Sequence, residues 1–343
     1  MTAGRLQPLP SAVAIHEVAP RDGLQAERTF LPTPQKIALI DALSRTGVAK
    51  IEATSFTSPR AIPALADGEA VMAGISRLPG VVYAALVPNA RGCERALAAG
   101  VDEVNIVMSC SESHNRSNLR MERSASLDQI SAIHSLAMGA AIVNVSLSTA
   151  FGCPYEGPVQ AAEVLRLIER IGRFGIGQIT LCDTTGMAQP AQVESLFLVA
   201  LREFPDFRFT AHFHNTRGMG LANCLAALMA GVRHFDASLG GLGGCPFAPG
   251  ATGNVVNEDL VHMLDAMGIE TGVDLDALID VARQLPALLG HDVPGQVMKA
   301  GRYDRQTAAA PDAAPSRRNV ASGPVSPPSN PAFAAMAADS DRH

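Results

Sequence analysis

Lysine is scarce in this sequence. Lysine occurs three times in 343 residues, at Lys36, Lys50 and Lys299, and the formal net charge is -6. No cationic stripe exists to follow a phosphate backbone, so a nucleic-acid partner is excluded. Paired cysteines are also missing. Cys93, Cys110, Cys153, Cys182, Cys224 and Cys245 are widely spaced and form no CxxC, which argues against structural zinc and for reduced thiols. The longest apolar run, 137–150, is broken by Asn144 and serines and is too short to cross a bilayer, so no membrane partner is expected. No Gly-Lys-Ser/Thr phosphate loop is present, and no Gly-x-Gly-x-x-Gly follows the first strand, which removes P-loop and nicotinamide chemistry. Neither a signal peptide nor an Arg-rich leader is recognisable, and Asp341-Arg-His is not a Ser-Lys-Leu address, so the expected compartment is the cytoplasm.

What is present is a large core written as a repeat. Hydrophobic residues make up 47% of the chain. Short runs rich in Val, Ile and Ala at 12–18, 48–53, 81–87, 103–108, 141–148, 176–182, 207–212 and 234–238 read as parallel strands buried on both faces. Helical patterns follow them at 33–45, 67–77, 90–99, 125–138, 159–173, 190–203, 219–230 and 255–267, with Thr33 as the expected N-cap of the first. Eight such units in about 270 residues match a (β/α)8 TIM barrel rather than a doubly wound sheet. One further helix is expected over 275–289. The barrel with this extension should occupy 1–302. The remainder, 303–343, is expected to be a disordered tail, since 11 Ala and 6 Pro fill the last 36 residues.

The stretch 240–254 cannot pack as helix or strand. Six glycines, two prolines and the single thiol of Cys245 are how a lid bearing one reactive group would be written, although a plain surface loop with an incidental cysteine would look similar. The residues at the carboxyl ends of the strands decide the matter, because in a barrel they line one mouth. Arg21 and Asp22 follow the first strand, Glu52 ends the second, Asp183 ends the sixth and His212-Phe213-His214 ends the seventh. Alternation on a strand puts both imidazoles on one face, within reach of one ion. With Asp22 and the side-chain oxygen of Asn254 they make a mixed nitrogen and oxygen set, which suits Mg²⁺ or Mn²⁺ and also accepts Co²⁺ or Zn²⁺. A carboxylate at the position of Glu52 needs a cationic partner, and Arg21 is the nearest candidate.

Taken together, Pro20-Arg-Asp-Gly-Leu-Gln-Ala-Glu, Ile51-Glu-Ala-Thr-Ser-Phe-Thr-Ser-Pro, Phe151-Gly-Cys-Pro-Tyr-Glu-Gly, His212-x-His214 and the run from Gly240 to Asn254 resemble the hydroxymethylglutaryl-CoA lyase family, in its bacterial form. The likeness covers about 17–272. It implies a metal-dependent lyase that cleaves a 3-hydroxy-3-methylglutaryl thioester to acetyl-CoA and acetoacetate. Asp22, His212, His214 and Asn254 would hold the cation, and Arg21, oriented by Glu52, would face the enolate oxygen. Cys245 or His212 would protonate the enolate carbon. Gln25, with Thr180 or Asp183, would hold the acyl group or back the site, and Arg28 would meet a phosphate of coenzyme A. A homodimer is implied at the level of the family.

Some residues depart from the family pattern. His214-Asn-Thr-Arg-Gly stands where His-Asp-Thr-Tyr-Gly is common, so a carboxylate is lost and Arg217 adds a cation at the mouth. That leaves citramalyl-CoA or another 3-hydroxyacyl-CoA open as substrate. A Claisen-type synthase would carry Glu-Arg in the last loop, and Gly243-Gly-Cys-Pro does not. A barrel that only binds acyl-CoA would lack Cys245, Arg21 or a metal ligand. Residues 111–118 resemble the version of this segment in bacterial members, which implies a gate at the mouth; read alone they are an ordinary polar loop.

Overall fold

Register across the sheet puts Cys182, His212 and Asp236 side by side at one level, because Cys182 pairs with His212 and His212 with Asp236. The computed structural model that shows this describes residues 9–244 and 253–303. Cys245 and the tail from 304 onward lie outside the described residues.

Eight parallel strands close into a barrel in sequence order: β1 (Ala14–Glu17), β2 (Lys50–Ser55), β3 (Val82–Leu86), β4 (Glu103–Ser109), β5 (Ile142–Ser148), β6 (Gln178–Asp183), β7 (Arg208–Phe213) and β8 (His234–Ala237). The ring is completed by β8 pairing with β1. Around it lie α1 (Thr33–Ser44), α2 (Gly68–Gly74), α3 (Ala90–Ala98), α4 (Glu112–Leu119), α5 (Arg123–Ala137), α6 (Ala161–Gly172), α7 (Pro190–Glu203), α8 (Gly220–Met229) and α9 (Asn257–Ala266). The expected (β/α)8 barrel is therefore the fold.

Strand alternation sorts the side chains into two layers. Ile51, Val104, Val145 and Ile179 are fully buried on the helix side. They meet stripes such as Val164, Leu167, Ile168 and Ile171 of α6, spaced as one helical face. Burying each of these stabilises the fold by about 1.5–3 kcal/mol. The inner side is polar, where barrels usually stack branched apolar residues. Asn105 Nδ2 donates to Glu52 Oε1 (2.9 Å), while Asn105 Oδ1 accepts from Asn144 Nδ2 (2.9 Å) and Ser146 Oγ (2.8 Å). Asn144 Nδ2 also reaches Thr180 Oγ1 at 3.0 Å. Lower in the barrel, Lys50 Nζ meets Glu103 Oε1 at 2.7 Å.

Several local expectations are corrected. The helix expected over 275–289 is two, α10 (Leu275–Ala282) and α11 (Leu285–Leu289), followed by α12 (Val297–Ala300). Pro286 explains the break: its ring would clash with the carbonyl four residues back, and it sits instead in the first turn of α11. Thr33 does not cap α1; its hydroxyl donates to Asp67 Oδ2 at 2.7 Å, and Pro32 occupies the cap position. Residues 111–118 are not a loop. Ser111 Oγ accepts from His114 N at 3.2 Å and starts α4, which Arg120 ends in the left-handed region at φ 58°.

Candidate active site

The turn after β1 is a π-helical turn, Ala19–Gly23, and it carries Arg21 and Asp22 inward. Arg21 Nε and Nη2 both meet Glu52 Oε2, at 2.7 and 2.6 Å, and Arg21 Nη1 donates to Asp22 Oδ1 at 2.5 Å. A register shift between Glu52 and Thr54 marks a β-bulge in β2, the kind of irregularity that re-aims a neighbouring side chain. Burial works against the Arg21 charge, but Glu52 and Asp22 outweigh it and hold the pKa above its ordinary value. Burial likewise would raise Asp22; the charges of Arg21, His212 and His214 prevail and bring it to about 2.

His212 is the inward residue at the end of β7, and His214 stands just beyond it, with ring centroids 5.3 Å apart. The chain from Gly253 to Val256 runs back between the ends of β7 and β8. Asn215 N donates to Gly253 O (3.0 Å), Val255 N to Phe213 O (3.0 Å) and Ser238 N to Val255 O (2.9 Å). This pairs His214 with Asn254 in an isolated bridge. Asn254 Nδ2 then donates to Asp22 Oδ2 (2.8 Å) and Leu242 O (3.0 Å). Its Oδ1 is buried with no hydrogen-bond partner among the described residues.

One donor atom from each of Asp22, His212 and His214 lies within 4.8 Å of the others. A carboxylate, two imidazoles and an orphaned amide oxygen beside them fit a six-coordinate divalent cation of the Mg²⁺ or Mn²⁺ kind. Both oxygens of Asp22 already accept one hydrogen bond from this chain, and each keeps a lone pair for an ion.

Asp236, which the sequence analysis missed, orders the histidines. Its Oδ2 faces His212 Nδ1 at 3.2 Å and its Oδ1 faces His16 Nδ1 at 3.0 Å. With Nδ1 engaged, His212 would have Nε2 left for an ion, the arrangement in which a carboxylate fixes the tautomer of a ligating imidazole. Burial would raise Asp236, yet hydrogen bonds from His16 and His212 hold it far below the carboxylate range. Burial would lower His212, and Asp236 more than reverses this.

A cavity of about 990 Å³ opens over this cluster, with Arg21, Asp22, Gln25, His212, His214 and Asp236 in its wall. Cys182, His114, Asn105 and Ser146 also line it. Glu52 and Asn254 support the wall from behind. Thr180 lies deeper, in the Asn144 network. Asp183 turns toward the loop after β6, where Oδ1 accepts from Met187 N at 2.7 Å; burial raises its pKa to about 6. Arg28 is exposed and outside the wall. Arg217, the cation expected at the mouth, is exposed and outside the wall, and its Nη1 donates to Thr185 O (3.0 Å) and Gly186 O (2.7 Å), which ties two loops together.

Fold and site define a class: a (β/α)8 barrel with a carboxylate and bis-imidazole metal-type site, and a buried arginine, at the carboxyl ends of its strands. Residues 12–285 match the model of the HMGL-like family, and the chain belongs to that family. It is 47% identical over 290 residues to hydroxymethylglutaryl-CoA lyase YngG of Bacillus subtilis (strain 168), an alignment covering 84% of this chain and 97% of that protein. It is 42% identical over 308 residues to (R)-citramalyl-CoA lyase of Chloroflexus aurantiacus, covering 84% and 95%. Among solved structures, an HMG-CoA lyase from Acinetobacter baumannii in complex with coenzyme A and 3-methylmalate matches with a TM-score of 0.85 at 50% identity, over 88% of this chain and 98% of that one.

Proposed function

We propose that this protein is a divalent-metal-dependent carbon-carbon lyase that cleaves 3-hydroxy-3-methylglutaryl-CoA to acetyl-CoA and acetoacetate. The observation that carries the reading is the donor set of Asp22, His212 and His214 within 4.8 Å, next to a buried arginine in an open cavity. A bound Mg²⁺ or Mn²⁺ would lower the pKa of the substrate's tertiary hydroxyl. Asp22, which shares the wall with Arg21 and keeps a lone pair on each oxygen, is the acceptor we assign to that proton. Loss of the proton lets the C2–C3 electron pair leave as the enolate of acetyl-CoA while the ketone of acetoacetate forms. Arg21, locked by Glu52 and Asp22, presents fixed positive charge to the enolate oxygen and needs no reorganisation as charge develops. The enolate carbon then takes a proton from Cys245; His212, the other donor expected, would have Nδ1 on Asp236 and Nε2 on the ion and is assigned as a ligand. Gln25, whose Oε1 is buried without a partner among the described residues, is assigned to the acyl chain. Arg28, exposed beyond the wall, is assigned to a coenzyme A phosphate, with Thr180 and Asp183 supporting the site from outside the cavity. A homodimer in the cytoplasm belongs to the same reading; the five described cysteines are all free thiols, which suits a reducing compartment.

Purified protein with Mn²⁺ should release acetoacetate from hydroxymethylglutaryl-CoA, and Cys245→Ser should lose most of that rate. Pyruvate from citramalyl-CoA with no acetoacetate would keep the bond cleavage and overturn the substrate. No product from either thioester would overturn the lyase itself.

A further inference from the structure

Glu17, the last residue of β1, is completely buried, and no cation pairs with it among the described residues. Its carboxylate instead receives three N–H donors. Oε1 accepts from Ala19 N (2.7 Å) and Leu239 N (2.9 Å), and Oε2 accepts from Asn257 Nδ2 (2.7 Å). Each donor belongs to a different segment of the site. Ala19 opens the turn that bears Arg21 and Asp22, Leu239 opens the segment that leaves β8 toward Gly244, and Asn257 begins α9 three residues after Asn254.

Resting on the lyase reading above, we infer that Glu17 is a positioning residue, which fixes the spacing between Asp22 and Asn254 and so sets the affinity of the cation site. Asp22 and Asn254 meet through one hydrogen bond, at 2.8 Å, between segments distant in sequence. The Asn254 segment is also held by its backbone pairing with β7 and β8, and Glu17 joins it, through the Asn257 side chain, to the backbone of the turn that bears Asp22. The segments it joins are closely packed: a side chain at Gly253 would run into the Gly241 carbonyl oxygen, and one at Gly23 would meet Leu242 Cβ at 2.8 Å. Burial alone would discourage a carboxylate here, and it pushes the pKa of Glu17 to about 7 despite the three donors. An apolar residue would be the cheaper filling, but it would orphan two backbone N–H groups and the Asn257 amide.

The hydrogen-bonding logic separates a tie from a mere space-filler. Glutamine keeps one oxygen for Ala19 N and Leu239 N. Its amide would face the Asn257 amide, and a flip of Asn257 resolves this, since Asn257 Oδ1 is buried without a partner among the described residues. Aspartate is one methylene too short to reach all three donors. The test measures Mn²⁺ affinity of the full chain without substrate, by electron paramagnetic resonance, beside turnover and thermal midpoint. Glu17→Asp should bind Mn²⁺ about 10-fold more weakly and lose kcat by a similar factor, as outer-shell changes do, with Glu17→Gln close to wild type. Wild-type affinity in Glu17→Asp with only a lower midpoint would overturn the inference, as would equal loss in Glu17→Gln. Should Glu17→Asp fail to fold, Asn257→Ala, which cuts one tie, should still weaken Mn²⁺ by about 3-fold or more; unchanged affinity overturns the inference. A wild type that binds Mn²⁺ but cleaves no thioester overturns the lyase reading while the affinity comparison still decides the role of Glu17. A wild type that binds no Mn²⁺ overturns both.

Discussion

Arg21 meets Glu52 through two of its nitrogens on one oxygen, Nε at 2.7 Å and Nη2 at 2.6 Å from Oε2, and the other oxygen of Glu52 is taken by Asn105. The guanidinium is therefore held against rotation, and its remaining nitrogen is fixed by Asp22. A lysine ammonium is a single point on a flexible stem and cannot reproduce this. Arg21→Lys should lower kcat by about 10² to 10³ with a KM changed by less than about 3-fold, because the lost interaction serves the transition state. Steady-state kinetics would show it. A variant that loses KM alone would place Arg21 in substrate binding instead.

Asp236 is expected to matter without touching substrate. Asp236→Asn keeps the shape but can present an N–H to His212 Nδ1, which favours the wrong tautomer. Mn²⁺ affinity should fall about 10-fold and kcat should fall with it. Equal metal affinity in the two proteins would show that the His212 tautomer does not depend on Asp236.

Removing the metal should stop the reaction reversibly. Chelation with EDTA is expected to abolish acetoacetate release and lower the thermal midpoint, since a ligand that binds only the folded chain stabilises it; about 2.7 kcal/mol is expected at 100 times Kd. Adding Mn²⁺ back should restore both. Activity that survives exhaustive chelation would refute the metal dependence.

Stability should respond to pH through Glu258. Its Oε2 accepts from Gly240 N at 3.0 Å, and burial raises its pKa from 4.5 to about 8. A carboxyl with a raised folded pKa contributes stability that is fully present below the unfolded value and is lost as pH rises through the folded value. Wild type should therefore lose thermal stability between about pH 5 and pH 8 from this group. Glu258→Gln, which keeps an oxygen for Gly240 N, should flatten that fall and be the more stable protein at pH 9 by on the order of 1 kcal/mol, about 2 °C in midpoint. Parallel melting curves across this range would count against the assignment.

Much of this site could be read before any coordinates. Arg21, Asp22, Glu52, His212 and His214 are polar residues at the ends of apolar strands, and only a barrel mouth gives them a common purpose. Asp236 escaped notice because β8 is four residues long and its role depends on neighbours in β1 and β7, which only the closed register supplies. Helix α4 was missed because Glu-Ser-His-Asn-Arg-Ser-Asn-Leu has no apolar stripe; the one available signal was Ser111 as its cap. The tie that Arg217 makes between two loops was not legible, since a sequence does not show which backbone carbonyls lie within reach. The break before Pro286 was visible in the sequence, and there the length of the apolar pattern wrongly outweighed the proline.

The chain of contacts from Glu52 through Asn105 and Asn144 to Thr180 has a consequence for how this barrel can change over time. Cohesion is stored in the shell between strands and helices, where an apolar swap of similar volume is absorbed locally. The axis behaves as a truss whose members each brace the next. A leucine at Asn144 would leave Thr180 and Asn105 short of partners, and Asn105 is what steadies Glu52 under Arg21. Drift should thus be permissive in the outer shell and close to frozen along the axis, so a neutral-looking change deep in the barrel would be felt first as a loosened arginine at its mouth.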